Sequence, residues 1–248
     1  MSLLVGGIFS PLINAFEGAI AFFHDTLGFG WGMSIVCFTF VLRLLILPLS
    51  IRGIQKMRAM QAIQPYMKQI QEGFPDDKER QQREMMKLFK EHNVNPFASC
   101  GPLLLQMPFF ILMLSTLRSS SFKADVTGHG WLFIDDLVSK PSDNVETVVL
   151  TALFVITMLG ASAVQASRVK DMQTAQKFLM FGLPLIFAAS VPRFPTGLAL
   201  YWVTSNVWTI GQQILVARIA PIPEPPTAEE LEAAKPPPKP PRKKRKRR

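Results

Sequence analysis

Apolar residues gather along this chain in five long blocks, with polar stretches between them. The blocks run from about Trp31 to Ser50, Pro102 to Leu117, Glu146 to Val164, Phe178 to Val191 and Gly197 to Ala217. A helix needs about 20 apolar residues to cross the hydrocarbon core of a bilayer. The pattern therefore predicts an all-α membrane protein with five spans, near residues 31–50, 102–117, 146–164, 178–191 and 197–217. The second and fourth blocks are short and contain Pro102, Pro108 and Pro184. Short spans imply local thinning of the bilayer or burial among neighbours. Internal prolines imply that neighbouring helices satisfy the carbonyls they release.

Ahead of the first block, Ile8, Leu12, Phe16, Ile20, Phe23 and Leu27 recur at helical spacing. Asn14, Glu17, His24 and Asp25 lie on the other side. Residues 1–27 read as an amphipathic helix on the outer surface, with a sixth span as the alternative. Residues 51–93 read as a hairpin of two helices, Ile51 to Glu72 and a second through His92. Gly73-Phe74-Pro75 breaks them apart, and Asp76 or Asp77 caps the second. Two readings of the hairpin are open: a coiled-coil-like loop, or a docking arm whose methionines suit adaptable contacts.

Charge sets the orientation. Residues 51–100 hold nine Lys/Arg, whereas residues 118–145 hold three with four Asp. Arg168, Lys170 and Lys177 lie between the third and fourth blocks, and only Arg193 between the fourth and fifth. Basic loops alternate with poor ones, which places the hairpin and C-terminus in the cytoplasm and the N-terminus outside. No Lys or Arg precedes Arg43, so a cleaved signal peptide is not expected.

Composition agrees with the membrane reading: 48% of residues are hydrophobic, 18% charged, and the mean hydropathy is +0.22. Of the formal +9 charge, the last 32 residues carry +6 and the other 216 only +3. Residues 218–248 read as a disordered Pro-rich basic tail ending in RKKRKRR. Its basic run fits contact with anionic lipid and control of topology, or phosphate contact with ribosomal RNA. Cys37 and Cys100 have no metal-type spacing, and a zinc site or disulfide framework is not expected.

One residue conflicts with its setting. Arg43 lies inside the first block, about 10 Å from its cytoplasmic end at 1.5 Å per residue. Its charge is permanent, and placing it in lipid costs about 2.5 to 17 kcal/mol. Apart from Glu146 at an outer edge, the five blocks contain no Asp or Glu. The polar groups within them are neutral: Thr39, Gln106, Ser205, Asn206, Gln212 and Gln213. Arg43 either reaches the inner headgroups, forms a structural hydrogen-bond hub, or lines a water-filled cavity. The cavity fits best, since water hydrates the guanidinium without a counter-ion. No HExxH helix, intramembrane Asp pair, nucleotide-binding GxxxxGK[ST] loop or inverted repeat is present. No cofactor or metal is expected, and no bond chemistry.

Four stretches carry a resemblance. WGMSIVCFTFVLRLLILPLS, QPYMKQIQEGFPDDKERQQREMMKLFKEHNVNP, NPFASCGPLLLQMPFF and FPTGLALYWVTSNVWTIGQQ are similar, in that order, to segments of the YidC membrane insertases, relatives of the mitochondrial oxidase-assembly and chloroplast albino-type proteins. The resemblance covers roughly residues 10–217. It implies a five-helix core, residues 28–217, enclosing a hydrophilic groove open to the cytoplasm and to lipid and closed outside. It implies a substrate-binding set of Arg43, Thr39, Gln106, Trp202, Tyr201 and Asn206, with Trp202 standing where some relatives have tyrosine. It also implies nascent membrane proteins as substrates and the ribosome as partner of the tail. The hairpin would help receive substrates and would meet the general secretion channel and signal-recognition machinery, in a bacterial plasma membrane. A transporter or channel, and a chaperone acting after another machine has inserted the substrate, are the rival functions.

Overall fold

The computed structural model describes residues 9–95, 101–167 and 177–219. Cys100, Arg168, Lys170 and the tail from residue 220 lie outside the described residues. Among those described, ten α-helices form and no β-strand. The described residues divide into two compact units, one of residues 9–54, 101–167 and 177–219, the other of residues 55–95.

The first unit begins with α1 (Ser10–Leu27). Gly28 ends it in the left-handed region at φ 68°, donating to the His24 carbonyl while Phe29 N donates to that of Phe23. The next helix, α2 (Trp31–Leu45), departs at 120°. The stripe that α1 buries is Ile13, Phe16 and Ile20, and Leu12 and Leu27 stay about half exposed. Two neighbours, α2 and α6 (Gly101–Arg118), share this helix, so its buried face is turned from the single-surface stripe the sequence suggests. Glu17 accepts hydrogen bonds from the hydroxyls of Ser119 and Ser121 at the start of α7 (Ser120–Val126), which ties α1 to the corner after α6.

The first apolar block does not form one straight helix. α2 stops at Leu45, and α3 (Leu47–Ala62) starts after Ile46. Pro48 has no N–H for the Leu44 carbonyl and its ring crowds it, which explains the break. Its one-residue width lets the chain carry on into the hairpin.

After α7, a loop leads to α8 (Asn144–Ala166), 23 residues and so about 34 Å long. Asp143 caps it by accepting from Glu146 N at 2.7 Å, and the buried Glu146 carboxylate accepts from Ser142 N at 2.7 Å. Val145, Val148 and Ile156 leave one side of α8 apolar and about two-thirds exposed. The fourth block is irregular: a π-turn at Phe178–Gly182, α9 (Leu183–Ala188) and a 3-10 turn at Val191–Arg193. Pro184 cannot donate to the Met180 carbonyl four residues earlier. Ser162 of α8 donates to that carbonyl instead, at 2.7 Å, so a neighbouring helix supplies the donor that the proline lacks. Ser162→Ala should therefore lower unfolding free energy by about 0.5–1.5 kcal/mol, measured by thermal unfolding in detergent, because it removes that hydrogen bond.

The last helix of this unit, α10 (Thr196–Ile219), runs between α8 and α2. A Cβ on Gly197 would sit 2.7 Å from the Leu137 carbonyl oxygen, 3.1 Å from Leu117 Cδ2 and 3.4 Å from Ile35 Cδ1. So α2, α6, α10 and the loop before α8 meet at one level, and only glycine allows that approach. The loop is latched there: Thr196 N donates to Ser139 O at 2.9 Å and Gly197 N to Leu137 O at 2.8 Å, satisfying the free N–H groups of the helix start. The latch includes Asp136. Burial alone would raise its carboxyl pKa, but the Ser139 hydroxyl and the N–H groups of Val138, Gly128 and Ser139 outweigh this and hold it below the usual range. A depressed carboxyl stabilises the fold above its unfolded pKa of about 3.9 and loses that contribution as pH falls through the folded value. The Tm difference between the protein and Asp136→Asn should be constant at neutral pH and shrink below about pH 4.

Among the described residues, α8 alone qualifies as a span by length and apolarity, and α1 with α2 qualify only as a bent pair. Leu105–Arg118 and Met180–Arg193 are shorter apolar helices. Polar residues such as Ser205, Asn206 and Gln212 lower the hydropathy of α10.

The second unit holds the hairpin. Its first arm is interrupted at Ile63, so that α4 (Gln64–Gly73) follows α3 as a separate helix. Pro65 lies in the first turn of α4, where a missing N–H does no harm, and could not have continued α3. α5 (Lys78–Glu91) is capped by Asp77, which accepts from Arg80 N at 3.0 Å. Met60, Ile63, Ile70, Phe74, Leu88 and Phe89 form a small buried core between the arms. Gln81 Nε2 donates across to the Gln71 carbonyl at 3.1 Å.

Candidate functional site

Arg43 stands near the C-terminal end of α2. Its Cβ, like every Cβ on a helix, tilts toward the helix N-terminus. Its Nη2 donates to Gln106 Oε1 of α6 at 2.6 Å. That contact fixes the amide's orientation, and Gln106 Nε2 donates to the Tyr201 hydroxyl of α10 at 3.1 Å. Three helices far apart in sequence thus place one guanidinium, one amide and one phenol in a single chain. Arg43 and Gln106 are half-buried, and Tyr201 is 1% exposed. No carboxylate lies within ion-pair distance of Arg43 among the described residues; the exposed pairs Arg83–Glu79 and Lys87–Glu91 belong to the hairpin. The positive charge therefore stands uncompensated, with part of its surface open.

The other residues singled out from sequence have different surroundings. Thr39, one turn before Arg43, is fully buried and its hydroxyl donates to its own helix at Ile35 O, 2.6 Å. Trp202 packs among Phe110, Phe154 and Phe187, with ring centroids 5.1, 5.0 and 5.6 Å away. Asn206 Nδ2 donates to Thr157 Oγ1 of α8 at 3.2 Å. Gln212 accepts from Trp208 Nε1 at 2.9 Å. So Arg43, Gln106 and Tyr201 form the polar site, and Thr39, Trp202 and Asn206 pack the helices that hold it. Sequence reasoning named Gln106 as a neutral partner, and the resemblance placed Tyr201 in the substrate-binding set; neither joined the Tyr201 hydroxyl to Gln106. Among the described residues, no group of three or more His, Cys, Asp or Glu side chains has the arrangement of a metal site.

Residues 22–222 match the family model described as 60Kd inner membrane protein. The chain belongs to the YidC insertase family. It is 35% identical over 264 residues to the membrane protein insertase YidC of Streptomyces avermitilis, covering 88% of this chain and 60% of that protein. It is 38% identical over 188 residues to the YidC of Haemophilus influenzae strain PittEE, covering 76% of this chain and 33% of that one. The chain thus spans from a third to three-fifths of these relatives' lengths. A crystal structure of an active YidC insertase with its first transmembrane domain resolved shares the fold, with a TM-score of 0.63 and 21% identity over 87% of this chain and 47% of that one. These relatives are named for insertion, not for making or breaking bonds.

Proposed function

We propose that this protein inserts other proteins into the bacterial inner membrane, and that the Arg43–Gln106–Tyr201 chain marks a hydrated groove that receives their polar flanks. The observation that carries the reading is the uncompensated charge of Arg43 between helices of a family of insertases. A guanidinium held by neutral partners keeps its field, and a low-dielectric wall strengthens it toward an entering acidic or polar segment.

In this reading α2, α6, α8, the segment Phe178–Arg193 and α10 cross the bilayer, with the N-terminus outside and the C-terminus in the cytoplasm. A polar flank enters beside Arg43 from the cytoplasm and crosses only part of the hydrocarbon. The irregular fourth span and the 18-residue α6 shorten the path further by thinning the lipid. The flank's apolar neighbour leaves sideways into lipid, driven by about 25 cal/mol per Å² of apolar surface removed from water. Nascent membrane proteins are the substrates. The hairpin is the docking arm for the secretion channel and signal-recognition machinery, and the basic tail meets the ribosome or anionic lipid.

The test is reconstitution in liposomes with a small single-span substrate carrying a short translocated flank. Protease protection of the flank well above that in empty liposomes is the expected result. Protection no greater than in empty liposomes would move the function to a chaperone acting after another machine. Solute-specific flux in the same vesicles would indicate a transporter.

A further inference from the structure

The loop before α8 contains a feature that latching the helices does not require. Trp131 and Ile134 exchange both backbone hydrogen bonds, N to O at 2.8 and 2.9 Å, so residues 131–134 form a two-residue hairpin. Its central residues are Leu132 and Phe133. Leu132 adopts φ 56°, in the left-handed region, at the position where such turns take glycine or asparagine. It is also 78% exposed, and Phe133 is 40% exposed. A water-facing turn with Gly or Asn there would relieve the backbone and hide no less apolar surface. Here the turn spends strain to hold two large apolar side chains outward, which points to a contact they serve.

The base of the hairpin is rigid. Ile134 is buried, and Gly130 packs so closely that a Cβ would sit 2.3 Å from the Ile134 carbonyl oxygen. Trp131 lies against Gly32 in the first turn of α2, beside the Trp31 ring that stacks on His24. The hairpin therefore stands at the α1–α2 elbow, where Leu27, Phe29 and Met33 are also between about a third and a half exposed. Together these give an apolar rim with aromatic rings at the end of the helix bundle, the composition of a membrane–water interface.

We infer that the Leu132–Phe133 tip is a lipid anchor: it inserts into the headgroup–acyl boundary of the outer leaflet, and with the α1 elbow it fixes the depth and tilt of the helix bundle. The occupant is phospholipid, because the exposed apolar rim of α1 and α2 runs up to the tip and both would meet the same boundary. The inference rests on the proposed orientation of the spans in the membrane, but not on insertion activity.

The experiment uses the full chain with Cys37→Ser and Cys100→Ser, spin-labelled at Leu132→Cys or, separately, Phe133→Cys, in phospholipid vesicles. Lys140→Cys in the same loop is the reference. Power saturation with oxygen and with a water-soluble nickel chelate reads the surroundings of each label. Labels at 132 and 133 should collide several-fold more with oxygen relative to nickel than the label at 140. Equal nickel access at all three positions would overturn the anchor, as would dipolar broadening showing two copies meeting at the tip. Phe133→Cys keeps the question open to refutation if Leu132→Cys disturbs the turn. A protein that fails to insert substrate but shows the oxygen-rich tip would separate loss of the insertase reading from loss of this one.

Discussion

Arg43→Ala should reduce protease protection of a single-span substrate to the level of empty liposomes while leaving the protein folded. The two halves of this result have separate causes. The fold stays because, among the described residues, the side-chain bond of Arg43 is the one to a half-buried glutamine, worth about 1.5–3 kcal/mol at most for a charged donor. Removing the guanidinium also removes the cost of holding it away from bulk water, which offsets part of that loss. Activity falls because, among the described residues, no other cation is joined to Gln106 or Tyr201 to replace the field that draws a polar flank into the bilayer. Arg43→Lys should retain a substantial part of the activity, since its ammonium keeps the charge and can reach one acceptor. Thermal unfolding in detergent and protection in liposomes, made on the same preparation, check both halves.

The second large effect is expected at Trp202 and falls on stability. Trp202→Ala should lower unfolding free energy by about 3 kcal/mol, the lower end for truncating a large aromatic in a packed site. Its ring touches aromatic rings from three other segments, Phe110 of α6, Phe154 of α8 and Phe187 of α9. Truncation would leave a void where α6, α8, α9 and α10 converge, one residue from Tyr201. Trp202→Phe should recover most of the stability. If Trp202 acts on substrate as well, Trp202→Phe will insert less than its folded fraction allows. Equal loss of folded protein and of insertion would assign the residue to packing.

The parts of this structure that sequence could reveal were those set by local chemistry. Pro184, Gly73 and Asp77 mark interruptions and caps because a missing N–H, a flexible backbone and a carboxylate act on their own neighbours. Pro48 and Pro65 gave the same signal, yet both sat inside blocks whose composition read as continuous helix, and the breaks at Ile46 and Ile63 were missed. Gln106 was legible because it is one of the few neutral polar groups within the apolar blocks that could partner Arg43. The bond from Gln106 to Tyr201 was not legible, since it depends on α6 and α10 lying side by side, 95 residues apart in sequence. The same holds for the bond that occupies Asn206, to Thr157 of α8, which comes from the geometry of packed helices, whereas Thr39 is occupied within its own helix by Ile35 O. α1 shows how a second neighbour changes a face, since burying Ile13 with Phe16 and Ile20 leaves Leu12 in the open.

The central claim is that a positive charge in a water-accessible site inside the membrane drives insertion. It is tested most directly with Arg43→Cys in the Cys37→Ser, Cys100→Ser background, treated from the cytoplasmic side with membrane-impermeant thiol reagents that add either a cationic or a neutral group. The account predicts that both reagents react, that the cationic adduct restores protection of the substrate flank, and that the neutral adduct does not. A thiol that no water-soluble reagent reaches, or equal recovery with both adducts, would contradict it.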